Sequence, residues 1–262
     1  MSDLFLGNVL PASRTVTLFQ DAEAAGDRNV KSVAKIGNFA GSLRNANRDL
    51  LRKLSKHSKW PAVDWAPTRT WNRRRQEVET VDVPVLLPHE VLAAIADLSD
   101  MHSLSNRENL TATARSHIAT AESQLPGGPP IVPLALWLDG TPCNWDRSES
   151  VVSVAFSLPG VSQQHQNVRL AYSAVLKKHC VTQATVDDLL KVFVWSLRCL
   201  AMGAWPTKRH DDLAWRPDDR VRRGCAGQGL AVRALLVEIR GDWAGMKEIF
   251  RLPGWQEKAF LS

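Results

Sequence analysis

The chain has few cysteines, and they are scattered. Cys143, Cys180, Cys199 and Cys225 form no C-x-x-C pair, so neither a zinc module nor a disulfide framework can be read from spacing. A reducing, intracellular setting is the expectation. No apolar run approaches the roughly 20 residues needed to cross a bilayer, which argues against a membrane partner. The opening Met1-Ser-Asp-Leu-Phe-Leu-Gly7 lacks a charged n-region and a long h-region, which argues against secretion. Internal repeats are also missing. Tyrosine occurs once against ten tryptophans, a ratio for which composition offers no physical reason.

Acidic residues are missing from one stretch in particular. Between Arg28 and Arg75 there are thirteen Lys or Arg and only Asp49 and Asp64, a local net charge of +11 within a chain of net charge +6. The remainder is therefore mildly acidic. Such asymmetry is the electrostatic footprint of a polyanion binder, most often nucleic acid, and the alternative is a solvated basic helix with no partner. With 262 residues, 44% apolar and 23% charged, the chain is long enough to bury a substantial core in one large domain or two small ones.

Residues 1–27 show no sustained periodicity and read as a flexible arm. From Arg28 to Ser58 apolar residues from Val33 to Leu54 recur at three- and four-residue steps, predicting an amphipathic helix whose polar face is basic. Trp60-Pro61 ends it, because the residue before proline avoids the helical region. Two β-rich runs, Thr68–Trp71 and Val78–Val85, flank Asn72-Arg-Arg-Arg-Gln-Glu77 and predict a hairpin with an arginine-rich tip. A helix follows from Pro88 to Leu98. Ser105 with Glu108 resembles a capping box for another, reaching Gln124. Leu125-Pro-Gly-Gly-Pro-Pro130 then interrupts all regular structure, placing a domain boundary between a basic, mostly helical region (28–125) and a second domain (131–262).

In the second domain the patterns predict strands over 131–138, 151–158 and 168–176, a helix over 186–202, a strand over 230–239 and a short helix over 244–250. Three closely spaced strands suit an antiparallel meander. The helix then carries the chain to a strand that pairs parallel with the first. The expected class is therefore α+β: a basic helical region followed by a mixed sheet with flanking helices.

Two acids occupy matching contexts in that sheet. Asp139 ends the apolar run Pro133–Leu138 and Asp242 follows Leu235–Gly241. If the two strands are neighbours, both carboxylates project from one sheet edge, the arrangement that presents paired acids to a divalent metal such as Mg²⁺ or Mn²⁺. The competing reading is that Asp is common at strand ends because it favours turns. Lys208, Arg209 and His210, in Trp205-Pro-Thr-Lys-Arg-His-Asp-Asp212, are candidates to hold a strand backbone or a phosphate near those acids, against an ordinary charged surface loop. Asp187-Asp188 heads the helix and reads as a cap. His179 beside Cys180 is a poor nucleophile pair, because residues adjacent in sequence rarely face each other. Gly224–Gly229 precedes a strand and so fails the strand-to-helix context of a phosphate loop.

The segments Leu136-Trp-Leu-Asp-Gly-Thr-Pro-Cys-Asn-Trp-Asp146, Trp205–Asp211 and Val237-Glu-Ile-Arg-Gly-Asp-Trp243 resemble a set of uncharacterised, transposon-like proteins of protists, whose chains usually continue further. The element order also resembles the ribonuclease-H-like layout of DDE transposases and retroviral-integrase-like enzymes. This second resemblance implies that Asp139 and Asp242 are the first two catalytic acids and metal ligands. It also implies that a last strand and helix, with the usual third acid, are missing here. Glu248, Glu238 and Asp146 are the substitutes within the chain, and Glu248 lies on the helix after Asp242. The expected function is a mobile-element-derived, transposase-like or nuclease-like protein acting on DNA, nuclear in location, with homo-oligomers allowed. The alternative is a non-catalytic nucleic-acid-binding or assembly protein on the same scaffold. Arg44, Arg48, Arg52, Lys53, Lys56, Arg73, Arg74 and Arg75 are the expected backbone contacts.

Overall fold

The computed structural model describes residues 12–26, 61–97, 101–124, 126–142, 148–161 and 169–241. The chain forms two compact units, 1–60 and 61–262. In the first, helix α1 (Ala12–Ala24) replaces the expected flexible arm. Its buried positions Thr15, Val16 and Phe19 lie within one turn of each other on one face, too short a stripe to register as a periodicity. The basic helix expected over 28–58 lies outside the described residues, as do Arg44, Arg48, Arg52, Lys53 and Lys56.

The second unit begins with a hairpin of β1 (Asp64–Asn72) and β2 (Glu77–Val85), paired antiparallel from Asp64↔Val85 to Asn72↔Glu77. Burial alternates along β1, with Asp64, Ala66, Thr68 and Thr70 facing inward, as a half-buried strand requires. Then come α2 (Pro88–Ala96), the single turn α3 (Met101–Leu104) and α4 (Ala112–Gln124). Thr111 caps α4, its Oγ1 accepting from the Ala114 N–H at 3.2 Å. The expected capping box is therefore displaced: Ser105 instead closes α3 by donating to the Met101 carbonyl.

A four-stranded sheet follows, built from β3 (Ile131–Pro142), β4 (Ser150–Ser157), β5 (Leu170–Leu176) and β6 (Arg233–Gly241) in the order β5-β4-β3-β6. The first three strands form an antiparallel meander, and β6 runs parallel to β3. A 3-10 turn (Lys177–His179) leads from β5 to α5 (Ala184–Met202), which crosses to the side where β6 starts, and α6 (Arg220–Cys225) lies in the segment between. Ile131 to Leu136 is buried throughout because both sheet faces are covered. Leu189, Val192 and Phe193 of α5 join Leu134, Leu136, Leu138 and Phe156 in the main core, while Ala114 and Ile118 of α4 pack with Ile131 in a smaller one. Tyr172 is buried edge-on against Phe193 and donates its hydroxyl to the Leu189 carbonyl at 2.8 Å. Helix α5 stops at Gly203, whose φ of 66° is the left-handed conformation that glycine adopts at little cost.

The boundary expected at 125–130 lies within the second unit. Ala66, Val83 and Val85 of the hairpin share one core with the sheet and α5, so the division falls at Trp60 instead. Proline and glycine end a helix or strand, but they do not say whether the faces on either side pack together. Among the described residues no helix is long and apolar enough to cross a membrane.

Candidate functional site

The C-terminal ends of β3 and β6 meet at one end of the sheet. Their pairing runs from Ile131↔Arg233 to Leu138↔Gly241, and the candidate acids Asp139 and Asp242 each come next in sequence. Asp242 and Glu248 lie outside the described residues, as does Asp146.

Asp139 is half-buried, and Arg169, at the entry to β5, donates to its carboxylate at 3.0 Å. The Arg169 guanidinium also lies 4.0 Å from the centre of the Trp137 ring, and the Arg240 guanidinium lies 5.3 Å from that same centre. Arg240 in turn donates to Glu238 at 2.7 Å. Residues two apart on a strand share a face, and the register sets Glu238 beside Ala135 and Arg240 beside Trp137. Two acid–arginine pairs, Glu238–Arg240 and Asp139–Arg169, are thus gathered around one tryptophan whose Nε1 donates to Ser157. Sequence reading missed Arg169 and Arg240 because each is lone in sequence and only the strand order brings it to Trp137. Glu238, a candidate substitute acid, is committed to Arg240 in this arrangement. Among the described residues no group of three or more His, Cys, Asp or Glu is placed to hold a metal ion.

The arginine-rich tip is a tight loop of residues 73–76. The Asn72 side chain accepts from the backbone N–H groups of Arg74 and Arg75, and Gln76 takes a φ of 55° to close the turn. His179 Nδ1 meets the Trp71 carbonyl at 3.1 Å, joining the tip to the turn after β5. His179 is therefore engaged with backbone, while the Cys180 thiol turns to the Leu176 carbonyl at 3.6 Å.

The other expected site residues lie elsewhere. Helix α5 starts at the sheet end that carries Asp139 and leads to the opposite end, where the 203–232 segment feeds β6. Lys208, Arg209 and His210 belong to that segment, so the expectation that they flank the paired acids is corrected. Arg209 pairs with Asp211 at 2.9 Å, and His210 Nε2 contacts the Trp65 carbonyl at 3.2 Å; Lys208 is exposed. Asp188 is not a cap. The Arg69 backbone N–H, Nε and Nη2 of β1 donate to its carboxylate at 3.1, 2.7 and 2.8 Å. Hydrogen bonds from Arg69 hold its acid down at about 2.

A buried ionic cluster joins the base of the hairpin to α2 and α6. Arg222 donates to Glu90 at 3.0 Å, to Asp64 at 3.4 Å and to Asp219 at 3.1 Å. Burial raises the Glu90 acid, against the pull of Arg222. Next to it His89, fully buried, contacts the Ser196 hydroxyl through Nδ1 at 2.8 Å and lies edge-on to Trp195 and Trp205. Burial, with a smaller push from Arg222, lowers His89 to about 3 and so keeps it neutral. Among the described residues, His89 Nε2 and Asp64 Oδ2 are buried without a hydrogen-bond partner. Compared with known protein families, curated proteins and solved structures, the chain matches none.

Proposed function

We propose that this chain is a mobile-element-derived, DNA-binding protein of transposase-like or nuclease-like type, built on a ribonuclease-H-like scaffold. The observation that carries the reading is the parallel β3–β6 pairing. It closes one residue short of two acids in sequence, within a sheet ordered β5-β4-β3-β6. Asp139 and Asp242 would hold Mg²⁺ or Mn²⁺, which would supply activation of the oxygen that attacks a phosphodiester and stabilisation of the oxygen that leaves it. The protein's own part is to position the strand backbone and to exchange Arg169 away from Asp139. The chemistry of the donor set fits a divalent ion only after that exchange, because the Asp139 carboxylate now has a cation at 3.0 Å.

Calorimetric titration of Mn²⁺ tests this. Binding in the millimolar range should be lost in Asp139→Ala and in Asp242→Ala, and should tighten in Arg169→Ala. Heat indistinguishable from buffer in both the wild type and Arg169→Ala would overturn the metal-dependent reading.

The Arg169–Asp139 pair also favours a second reading. A carboxylate neutralised by an arginine stacked on Trp137 is what a non-catalytic nucleic-acid-binding or assembly protein on the same scaffold would keep. Retained DNA binding without metal binding selects that alternative.

A further inference from the structure

We propose that the cleft between the β1–β2 hairpin tip and the Lys177–His179 turn is a phosphate-binding subsite for nucleic-acid backbone. This rests on the nucleic-acid reading above and adds the place where the second unit holds its partner. The cleft is open, about 550 Å³ in volume, and lined by Asn72, Arg73, Arg74, Glu79, Lys178 and His179.

Three features suit it to phosphate. First, its cations are available. The Arg73 and Arg74 side chains make no hydrogen bond or ion pair with another described residue, whereas Arg75 is paired with Glu77 at 3.7 Å and Lys178 with Glu149. Second, its one acid is engaged, since Glu79 accepts from Asn72 Nδ2 at 3.0 Å. Third, its backbone is already ordered. Asn72 holds the N–H groups of Arg74 and Arg75, Gln76 donates to the Arg73 carbonyl at 2.6 Å, and His179 ties Trp71 to the turn. Two unpaired guanidiniums on a fixed loop match phosphate oxygens in a fork geometry, with little ordering left to be done on binding.

Its place in the fold gives the subsite a role. Thr141 pairs with Val151 and Val151 with Leu176, so the ends of β3 and β5 stand level across β4. The cleft therefore lies at the sheet end that carries Asp139, two strand spacings or about 10 Å across. That is about three nucleotide steps at the 3.4 Å rise of one duplex strand. The cleft grips a phosphate a few steps from the carboxylate and sets the register of the strand that passes it. A nucleic acid suits it better than an acidic peptide because the +11 stretch Arg28–Arg75 extends the same demand for regularly repeated negative charge.

The test is fluorescence anisotropy of a labelled duplex of about 20 base pairs with the full chain, between about 50 and 200 mM salt. Arg73→Ala/Arg74→Ala should weaken binding at least about tenfold and flatten the slope of log K against log salt by up to about 1.8. Arg73→Lys/Arg74→Lys should keep the wild-type salt slope but bind more weakly than wild type and more tightly than the alanine pair, because lysine keeps the charge and loses the fork. Arg198→Ala/Arg216→Ala, which removes two exposed cations outside the cleft, should also stay within about threefold. Melting temperatures of the alanine pair should match wild type, as no described contact is lost. The proposal fails, with the DNA reading intact, if the Arg73/Arg74 pair keeps wild-type affinity and slope. It fails in the same way if the Arg198/Arg216 control loses as much, or if poly-glutamate binds as tightly with the same dependence on Arg73 and Arg74. A wild-type slope near zero removes both together.

Discussion

Single residues carry the sharpest energetic consequences at the buried ionic cluster. Among the described residues Arg222 is the one cation paired with Glu90, Asp64 and Asp219, and all but Asp219 are buried. Arg222→Met keeps the volume but leaves two buried carboxylates unpaired. It should destabilise the fold by about 3–5 kcal/mol, read as a shift in the urea midpoint. His89 gives a pH dependence of definite sign. Its folded value of about 3 lies below its unfolded value of 6.5, so protons bind the unfolded chain first as pH falls. Its contribution is complete above pH 6.5 and is lost at about 1.4 kcal/mol per unit between there and about pH 3. Glu90, whose nearest carboxylate oxygen is 3.9 Å from His89 Nε2, titrates with the opposite sign because burial raises its acid. Urea unfolding of wild type and His89→Asn from pH 7 to 4 separates the two, and the variant should lose the His89 part of the slope. None of this was legible in Pro88-His-Glu90, which reads only as a helix start.

At the scale of elements, two junctions hold the architecture. Arg69 and Asp188 join β1 to the N-terminal part of α5, and the depressed Asp188 acid means that this tie is complete above pH 3.8 and lost as pH falls through about 2. Asp188→Ala should speed amide exchange across 64–85 while leaving β3 and β4 protected, as measured by hydrogen–deuterium exchange. The other junction is the end of α5. A Cβ on Gly203 would stand 3.0 Å from the Arg233 side chain at a φ of 66°. Gly203→Ala should therefore cost about 1–2 kcal/mol, again by urea unfolding. Element identities in the second unit followed from periodicity: the hairpin, the meander, α5 and β6 sit within a few residues of their expected bounds. Helix α1 did not, because three buried positions including a threonine make too weak a pattern.

For the whole molecule, the distribution of charge makes the testable statement. If six phosphates are neutralised, the slope of log K against log salt should be roughly −5 on duplex DNA. Asp139→Ala should leave it unchanged, since that residue adds no cation. A chain beginning at Pro61 loses Arg44, Arg48, Arg52, Lys53 and Lys56, and its slope should be flatter by up to about 4.5. Equal slopes for the full chain and the shorter one would place all phosphate contacts in the second unit, with the hairpin tip as their centre.

The sequence by itself determined the α+β class, the order of the strands along the chain, the arginine-rich hairpin tip and the position of Asp139 just past the buried apolar run of β3, although the strand itself continues to Pro142. Each depends on local periodicity, turn chemistry or spacing, which a short window of residues contains. Only the tertiary structure decided that the hairpin and the sheet share one core, that Asp188 serves β1, and that Arg169 and Arg240 converge on Trp137 beside Asp139. It also decided that Lys208, Arg209 and His210 sit at the far end of the sheet. Those outcomes depend on which faces meet across the sheet and on the direction of one crossover helix. The residues involved are far apart in sequence, 119 positions in the Arg69–Asp188 pair and 145 in the His210–Trp65 contact, and no local pattern encodes such a meeting.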